Sequence, residues 1–328
     1  MAPVRGGSAM KIAALAGGVG AGKFLRGLIR AVRPENVTVI VNTGDDIEVH
    51  GLHVSPDLDS VTYWLSGLAD RERGWGRDGE TFRATEELRN LGVDGAWFGL
   101  GDLDLATHLF RTPRLQAGET LSAVTDELGR RWNIGCRILP MSDEPVTTRI
   151  EAVDDAGQVL DLHFQEYWVR RGAEDAVKAV RFERADRAVP APGVVEAIAA
   201  ADCVVICPSN PVVSIDPILA VPGIRDAVQS RRSVVVAISP IVGGAPLRGM
   251  ADRLLPVVGV EVSAAGVAQH YGSVLMEGFV IDEVDRDAAS EIESLGLRVA
   301  VTDTIMVDDD AAESLARAAL DLAGGAGP

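Results

Sequence analysis

Four glycines in six positions follow a short apolar run near the start of the chain, and this junction narrows the possible folds more than any other feature. Residues 11–16 read KIAALA, a run of strand length, and Gly17-Gly18-Val19-Gly20-Ala21-Gly22-Lys23 follows at once. Residues 24–32 then place Phe24, Leu25, Leu28, Ile29 and Val32 along one helical face. A second apolar run, VTVIV at 37–41, ends in Asn42-Thr43-Gly44-Asp45-Asp46. Strand, glycine-rich turn, helix and strand open a parallel sheet with crossover helices. The chain is therefore expected to be a Rossmann-like α/β protein, its mostly parallel sheet covered by helices on both faces.

At about 150 residues per domain, 328 residues suit two domains or one large one. Little between 60 and 135 reads as strand, whereas 81–91, 103–110 and 120–132 carry helical spacing. Residues 147–153 and 159–164 alternate around Asp154-Asp155-Ala156-Gly157, a hairpin pattern. Strands are then expected at 203–207, 233–238, 278–281 and 297–301, separated by helices such as 194–200, 266–275 and 310–322. No repeat, low-complexity tract or linker divides the chain. It reads as one α/β domain over 10–326, with a helical insertion at about 60–135 and a disordered lead-in at 1–9 that lacks the apolar stretch of a secretory signal.

Charge restricts the partners. Lys and Arg number 31 against 48 Asp and Glu, a net charge of -17, which repels nucleic acid and anionic lipid alike. No apolar run reaches the roughly 18 residues that span a bilayer. Cys136, Cys203 and Cys207 are an odd number, and Cys203 and Cys207 lie in a buried-strand pattern, as expected of core residues in a reducing, cytoplasmic setting. A phosphorylated ligand of so acidic a protein needs a local cradle or a bridging cation.

The glycine run offers that cradle. It nearly matches the P-loop spacing, but Phe24 stands where a hydroxyl would reach magnesium, and Lys23 breaks the G-x-G-x-x-G pattern. Glycines that admit a ligand to the backbone, at a helix N-terminus, still favour an anion, so Gly17, Gly18, Gly20 and Lys23 are expected at a phosphate or diphosphate. Asn42, Asp45 and Asp46 leave the carboxyl end of the second strand, where open α/β sheets bind ligands. Asp57 and Asp59 open the next helix in Ser55-Pro56-Asp57-Leu58-Asp59-Ser60. One of them serves as a cap in the simplest reading; four aspartates in fifteen positions suit a hard cation such as magnesium. Ser209, Asn210 and Ser214 lie in a proline-bounded loop after a further strand, and Ser239 in a similar one. The two loops are expected to border a nucleoside, or to be rigid capped turns. Trp75, between glycines, and Trp97 suit the wall of a flat ring. His108 is a weaker candidate for substrate contact, and the histidines show no metal-ligand spacing.

These blocks together resemble the 2-phospho-L-lactate transferase family of coenzyme F-420 biosynthesis, whose actinobacterial members use phosphoenolpyruvate. The resemblance runs through GGVG, VNTGDD, HGLHVSPDLDSV, RGWG, WFGLGDLDLATHL, ILPMSDEPV, HFQEYWV, PSNPVVSI, SPIVGGAPLRGMAD and GVEVSAAGVA. It implies transfer of a phosphoenolpyruvyl or phospholactyl group from a guanosine diphospho-adduct to the ribityl hydroxyl of the deazaflavin Fo, with release of GMP. It also implies magnesium, on Asp45 and Asp59, and a homodimer; either aspartate is also a candidate for taking the hydroxyl proton. Two other classes stay open: a non-catalytic nucleotide-sugar-binding regulator similar to gluconeogenesis factor, and an NAD-dependent oxidoreductase with Asp45 on the ribose. Sequence does not separate phosphoenolpyruvate, phospholactate and phosphoglycerate as the donor group.

Overall fold

A computed structural model describes residues 10–324; the expected lead-in at 1–9 and positions 325 and 326 lie outside the described residues. Seven strands form the central sheet: β1 (Ile12–Ala16), β2 (Val37–Val41), β3 (Arg137–Pro140), β4 (Cys203–Ile206), β5 (Val235–Ile238), β6 (Gly278–Asp282) and β7 (Arg298–Thr302). They lie in the order β7-β6-β5-β4-β1-β2-β3, every neighbouring pair parallel. The Rossmann-like expectation holds.

The strands read as unbroken apolar runs because both faces are covered. In β1, Ala13 and Leu15 enter one core while Ile12, Ala14 and Ala16 enter the other; β4 divides Val204 and Ile206 from Cys203 and Val205 in the same way. On the second face lie α1 (Gly18–Ala31), through Phe24, Leu25 and Leu28, and the helix Asp309–Gly324, through Leu315, Ala316 and Ala319. All three cysteines are free and buried, and burial pushes the Cys136 and Cys203 thiols up to about 12.

The helical insertion holds α2 (Pro56–Ser66), α3 (Arg83–Asn90), α4 (Asp102–Gln116) and α5 (Leu121–Arg131). The expected hairpin is present as Thr147–Val153 paired with Val159–His163. A third strand that sequence reading missed, Ala176–Glu183, joins its other edge. This small antiparallel sheet buries Ile150, Ala152 and Leu162 in the core that receives Ala13 and Leu15. A short hairpin, Ile47–Val49 with Leu52–Val54, also went unread; His50 and Gly51 at its turn both take positive φ, the geometry of a tight primed turn. No helix among the described residues is long and apolar enough to cross a membrane.

The glycine run departs from expectation. It is not a loop ahead of a helix at Phe24, for α1 already begins at Gly18. A Cβ at Gly20 would overlap the Pro208 carbonyl, and one at Gly22 would lie 2.6 Å from the Trp64 ring. Part of the glycine content therefore serves protein packing rather than ligand approach.

Candidate active site

Strand order reverses between β1 and β4, so the connections leaving their carboxyl ends diverge and open a crevice, the usual ligand position in this architecture. A cleft of about 980 Å³ occupies that point. It brings together Gly17, Gly18, Gly20 and Lys23 with Asp45, Asp57 and Asp59, although these are far apart in the chain. Ser209, Asn210, Ser214, Ser239 and Trp75 line it as well. Asn42, Asp46, Trp97 and His108 do not line it.

At the start of α1 the Gly17 N–H donates to Ser209 Oγ at 3.2 Å, and that hydroxyl donates to the Gly17 carbonyl at 2.9 Å. Ser209 thus clasps the two diverging loops together. The Asp57 carboxylate accepts from the Gly18 N–H, and a Cβ on Gly17 would overlap Asp57 Oδ2. A protein carboxylate therefore already faces the helix N-terminus, where a phosphate was expected.

The buried carboxylates of Asp45 and Asp57 lie next to the half-buried Asp46. Asn42, itself buried, donates through Nδ2 to Asp57 Oδ2 at 2.9 Å and to Asp45 Oδ1 at 3.4 Å. Gln165 Nε2 donates to Asp45 Oδ2 at 2.9 Å. Asp46 Oδ2 accepts from the Ser55 hydroxyl at 2.8 Å and lies 2.9 Å from His53 Nε2, and its Oδ1 is buried without a partner. Burial first, then the charges of Asp57 and Asp46, hold the Asp45 carboxyl well above the usual carboxylate range. Burial raises Asp46 too and lifts Asp57 to about 6. Desolvated carboxylates facing one another, with an orphaned oxygen among them, form an all-oxygen donor set that fits a hard divalent cation.

Asp59 is held differently. The guanidinium fork of Arg111, from α4, grips both of its oxygens, with Nη1 3.0 Å from Oδ2. His108 stands behind it, fully buried, 3.8 Å from Asp59 and 3.4 Å from Asp104. Tyr63 donates to Asp104 at 2.6 Å. Asp59, Asp104 and His108 present ligand atoms within 4.8 Å of one another, but Arg111 already supplies positive charge there. His108 belongs to this buried network and lies behind the cleft wall.

The two polar loops spend much of their hydrogen bonding on themselves. Asn210 Oδ1 accepts from the Val212 and Val213 N–H groups at 3.0 and 3.4 Å, which is a cap. Ser239 Oγ donates to the Ile241 carbonyl at 2.8 Å. The rigid-turn reading describes this geometry, although both side chains still border the cleft. Trp75 is exposed at the cleft with the Arg73 guanidinium 5.4 Å from its ring. Trp97 instead packs on Phe98 and carries the Arg170 guanidinium 5.9 Å from its ring. The wall expected of Trp97 is thus turned toward its own loop.

Sequence reading missed Arg73, Arg248 and Gln165, all on the cleft. Their signal was present in the RGWG, APLRGM and HFQEYW blocks. Arg248 Nη2 donates to the Glu72 carbonyl at 3.1 Å and Nη1 to that of Arg73. Gly74, at φ 84°, leaves room for this guanidinium. Lys23 has its pKa lowered, by burial first and then by the nearby Arg248 charge. An acidic protein has gathered three cations, Lys23, Arg73 and Arg248, at one cleft.

Residues 12–318 match the model of a family described as 2-phospho-L-lactate transferase CofD. A phosphoenolpyruvate transferase of Streptomyces griseus is 53% identical over 314 residues, covering 96% of this chain and 98% of that protein. The phosphoenolpyruvate transferase of Streptomyces coelicolor is 52% identical over the same shares, and that of Mycolicibacterium smegmatis is 45% identical over 96% and 99%. A crystal structure of a UPF0052 family protein from Bacillus halodurans superposes with a TM-score of 0.61 at 19% identity, covering 95% of this chain and 99% of that one; this likeness is one of fold.

Proposed function

The chain belongs to the 2-phospho-L-lactate transferase CofD family, and from that membership we propose that it moves a phosphoenolpyruvyl group from a guanosine diphospho-adduct to the terminal ribityl hydroxyl of the deazaflavin Fo, releasing GMP. The names of the relatives favour phosphoenolpyruvyl over phospholactyl or phosphoglyceryl as the transferred group. One observation carries the reading: buried carboxylates, the start of α1 and a cluster of cations converge on one cleft at the strand-order reversal.

Each part of that cleft has a task in the transfer. Lys23, Arg73 and Arg248 draw a polyanion into a protein whose net charge of -17 otherwise repels it. The donor diphosphate lies against these cations beside the start of α1, whose own N-terminus Asp57 already faces, and the loops carrying Ser209, Asn210, Ser214 and Ser239 border its guanosine. Asp45 and Asp59 are the carboxylates proposed for magnesium, which would supply neutralisation of the diphosphate charge when bound; the Asp45 cluster has the oxygens for it, while Asp59 would have to share its oxygens with the Arg111 fork. Asn42 and Gln165 hold Asp45 in place, and Arg111 holds Asp59. The deazaflavin hydroxyl oxygen forms a bond to the phosphorus bearing the enolpyruvyl group, and the bond from that phosphorus to the bridging oxygen breaks. GMP leaves with the electron pair, and the hydroxyl proton passes to a carboxylate of the Asp45 and Asp59 pair. Positioning and charge placement supply most of the acceleration, as is usual in phosphoryl transfer. A homodimer in the cytoplasm completes the proposal.

Mass spectrometry of the deazaflavin product, formed while the three guanosine adducts compete, tests it. Predominance of the phosphoenolpyruvyl product supports the reading. No mass gain with any donor refutes it.

A further inference from the structure

Four of the five tryptophans have partners. Trp64 donates to the Gly74 carbonyl at 3.0 Å, Trp75 packs with Phe82 and Arg73, Trp97 with Phe98 and Arg170, and Trp132 with Tyr63 and Arg77. Trp168 differs: it is 38% exposed on the cleft, and no ring or guanidinium of the described residues stacks on it.

Its segment explains how it is held there. Residues Glu166–Arg170 form a single π-helical turn, a geometry often found at functional sites. Tyr167 anchors the turn from inside, fully buried, with its hydroxyl donating to the Ala173 carbonyl at 3.3 Å. Arg170 ties the outer end to the helical insertion through Asp94, at 3.8 Å, and the Trp97 face. Gln165, just ahead of the turn, holds Asp45. Trp168 and Val169 are left facing the cleft, both exposed.

From this placement we infer that Trp168, backed by Val169, is the surface on which the tricyclic ring of the deazaflavin acceptor stacks. The inference rests on the function proposed above and deepens it. One short segment carries both the amide that orients Asp45 and an unpartnered indole. An acceptor whose terminal hydroxyl reaches Asp45 therefore lays its body along Trp168. A flat conjugated ring gains most from an unoccupied aromatic face, while the polyanionic donor gains little from one.

Binding measurements on the full chain decide it, with Fo anisotropy reading the acceptor and calorimetry reading GDP. Trp168→Leu should weaken deazaflavin binding about tenfold, the scale of one lost stacking contact. Trp168→Phe, which keeps an aromatic face, should stay within about threefold of the parent. GDP affinity should be the same in all three proteins. Unchanged deazaflavin affinity in Trp168→Leu, or a parallel loss of GDP binding, overturns the inference. A parent that binds GDP but no deazaflavin overturns the acceptor assignment itself, and that failure is visible before any variant is made.

Discussion

Replacing Asp57 with Asn removes one buried charge from the cleft while nearly preserving its shape. Burial lifts this carboxyl from 3.8 to about 6. At about 1.4 kcal/mol per unit, its ionisation in the folded, cation-free protein costs about 3 kcal/mol. Since the folded value exceeds the unfolded one, the protonated carboxyl favours folding. That contribution is complete below about pH 3.8, declines as pH rises, and is lost above about pH 6. About half of the cost is present at pH 5 and nearly all of it at pH 7.5. Asp57→Asn also alters the hydrogen bonds with Asn42 and the Gly18 N–H, so the difference between two pH values isolates the charge. Urea unfolding in chelator should show the variant gaining about 1.5 kcal/mol more over the parent at pH 7.5 than at pH 5. Removing this charge also relieves Asp45, whose carboxyl Asp57 helps to raise, which enlarges the difference. Saturating magnesium should narrow it by stabilising the parent. An equal gain at both pH values would refute the picture of a strained carboxylate cluster.

Asp45→Asn should fold normally by circular dichroism yet lose transfer at ordinary magnesium, and its donor binding should depend less on added magnesium. Asp59→Asn carries a further penalty. It leaves the Arg111 guanidinium buried without its counter-charge, so unfolding should detect a loss of about 3–5 kcal/mol, as should Arg111→Met for the opposite reason. Gly22→Ala pushes a methyl against Trp64 and should cost about 1–3 kcal/mol of stability, with GDP affinity unaltered by calorimetry.

Most of the sheet was legible because a strand covered on both faces must be apolar throughout, as VTVIV at β2 and CVVI at β4 are. Strand β3, sequence RILP, was not, since it pairs on one side only and ends in a proline. The strand Ala176–Glu183 buries little of itself, so its lysine, arginine and glutamate hid the alternation. The glycine run was recognised but assigned to ligand alone, because the Pro208 carbonyl and the Trp64 ring reach Gly20 and Gly22 only through tertiary packing. At the site, the aspartates stood out by crowding in sequence. Arg111 did not, since its pairing with Asp59 spans fifty-two positions and joins two helices. Trp97 and His108 were residue types suited to a ligand whose environments, the Arg170 guanidinium and a fully buried network, give them protein partners instead.

The proposed transfer requires that this cleft join two substrates rather than merely bind or hydrolyse a nucleotide. A single-turnover reaction tests it most directly, with enzyme in excess over the phosphoenolpyruvyl guanosine adduct, Fo and magnesium present, and GMP and modified deazaflavin quantified together. The two should appear at one rate and in equal amounts, and neither should form with Asp45→Asn. GMP released without modified deazaflavin, or full turnover by Asp45→Asn, would contradict the proposed transfer.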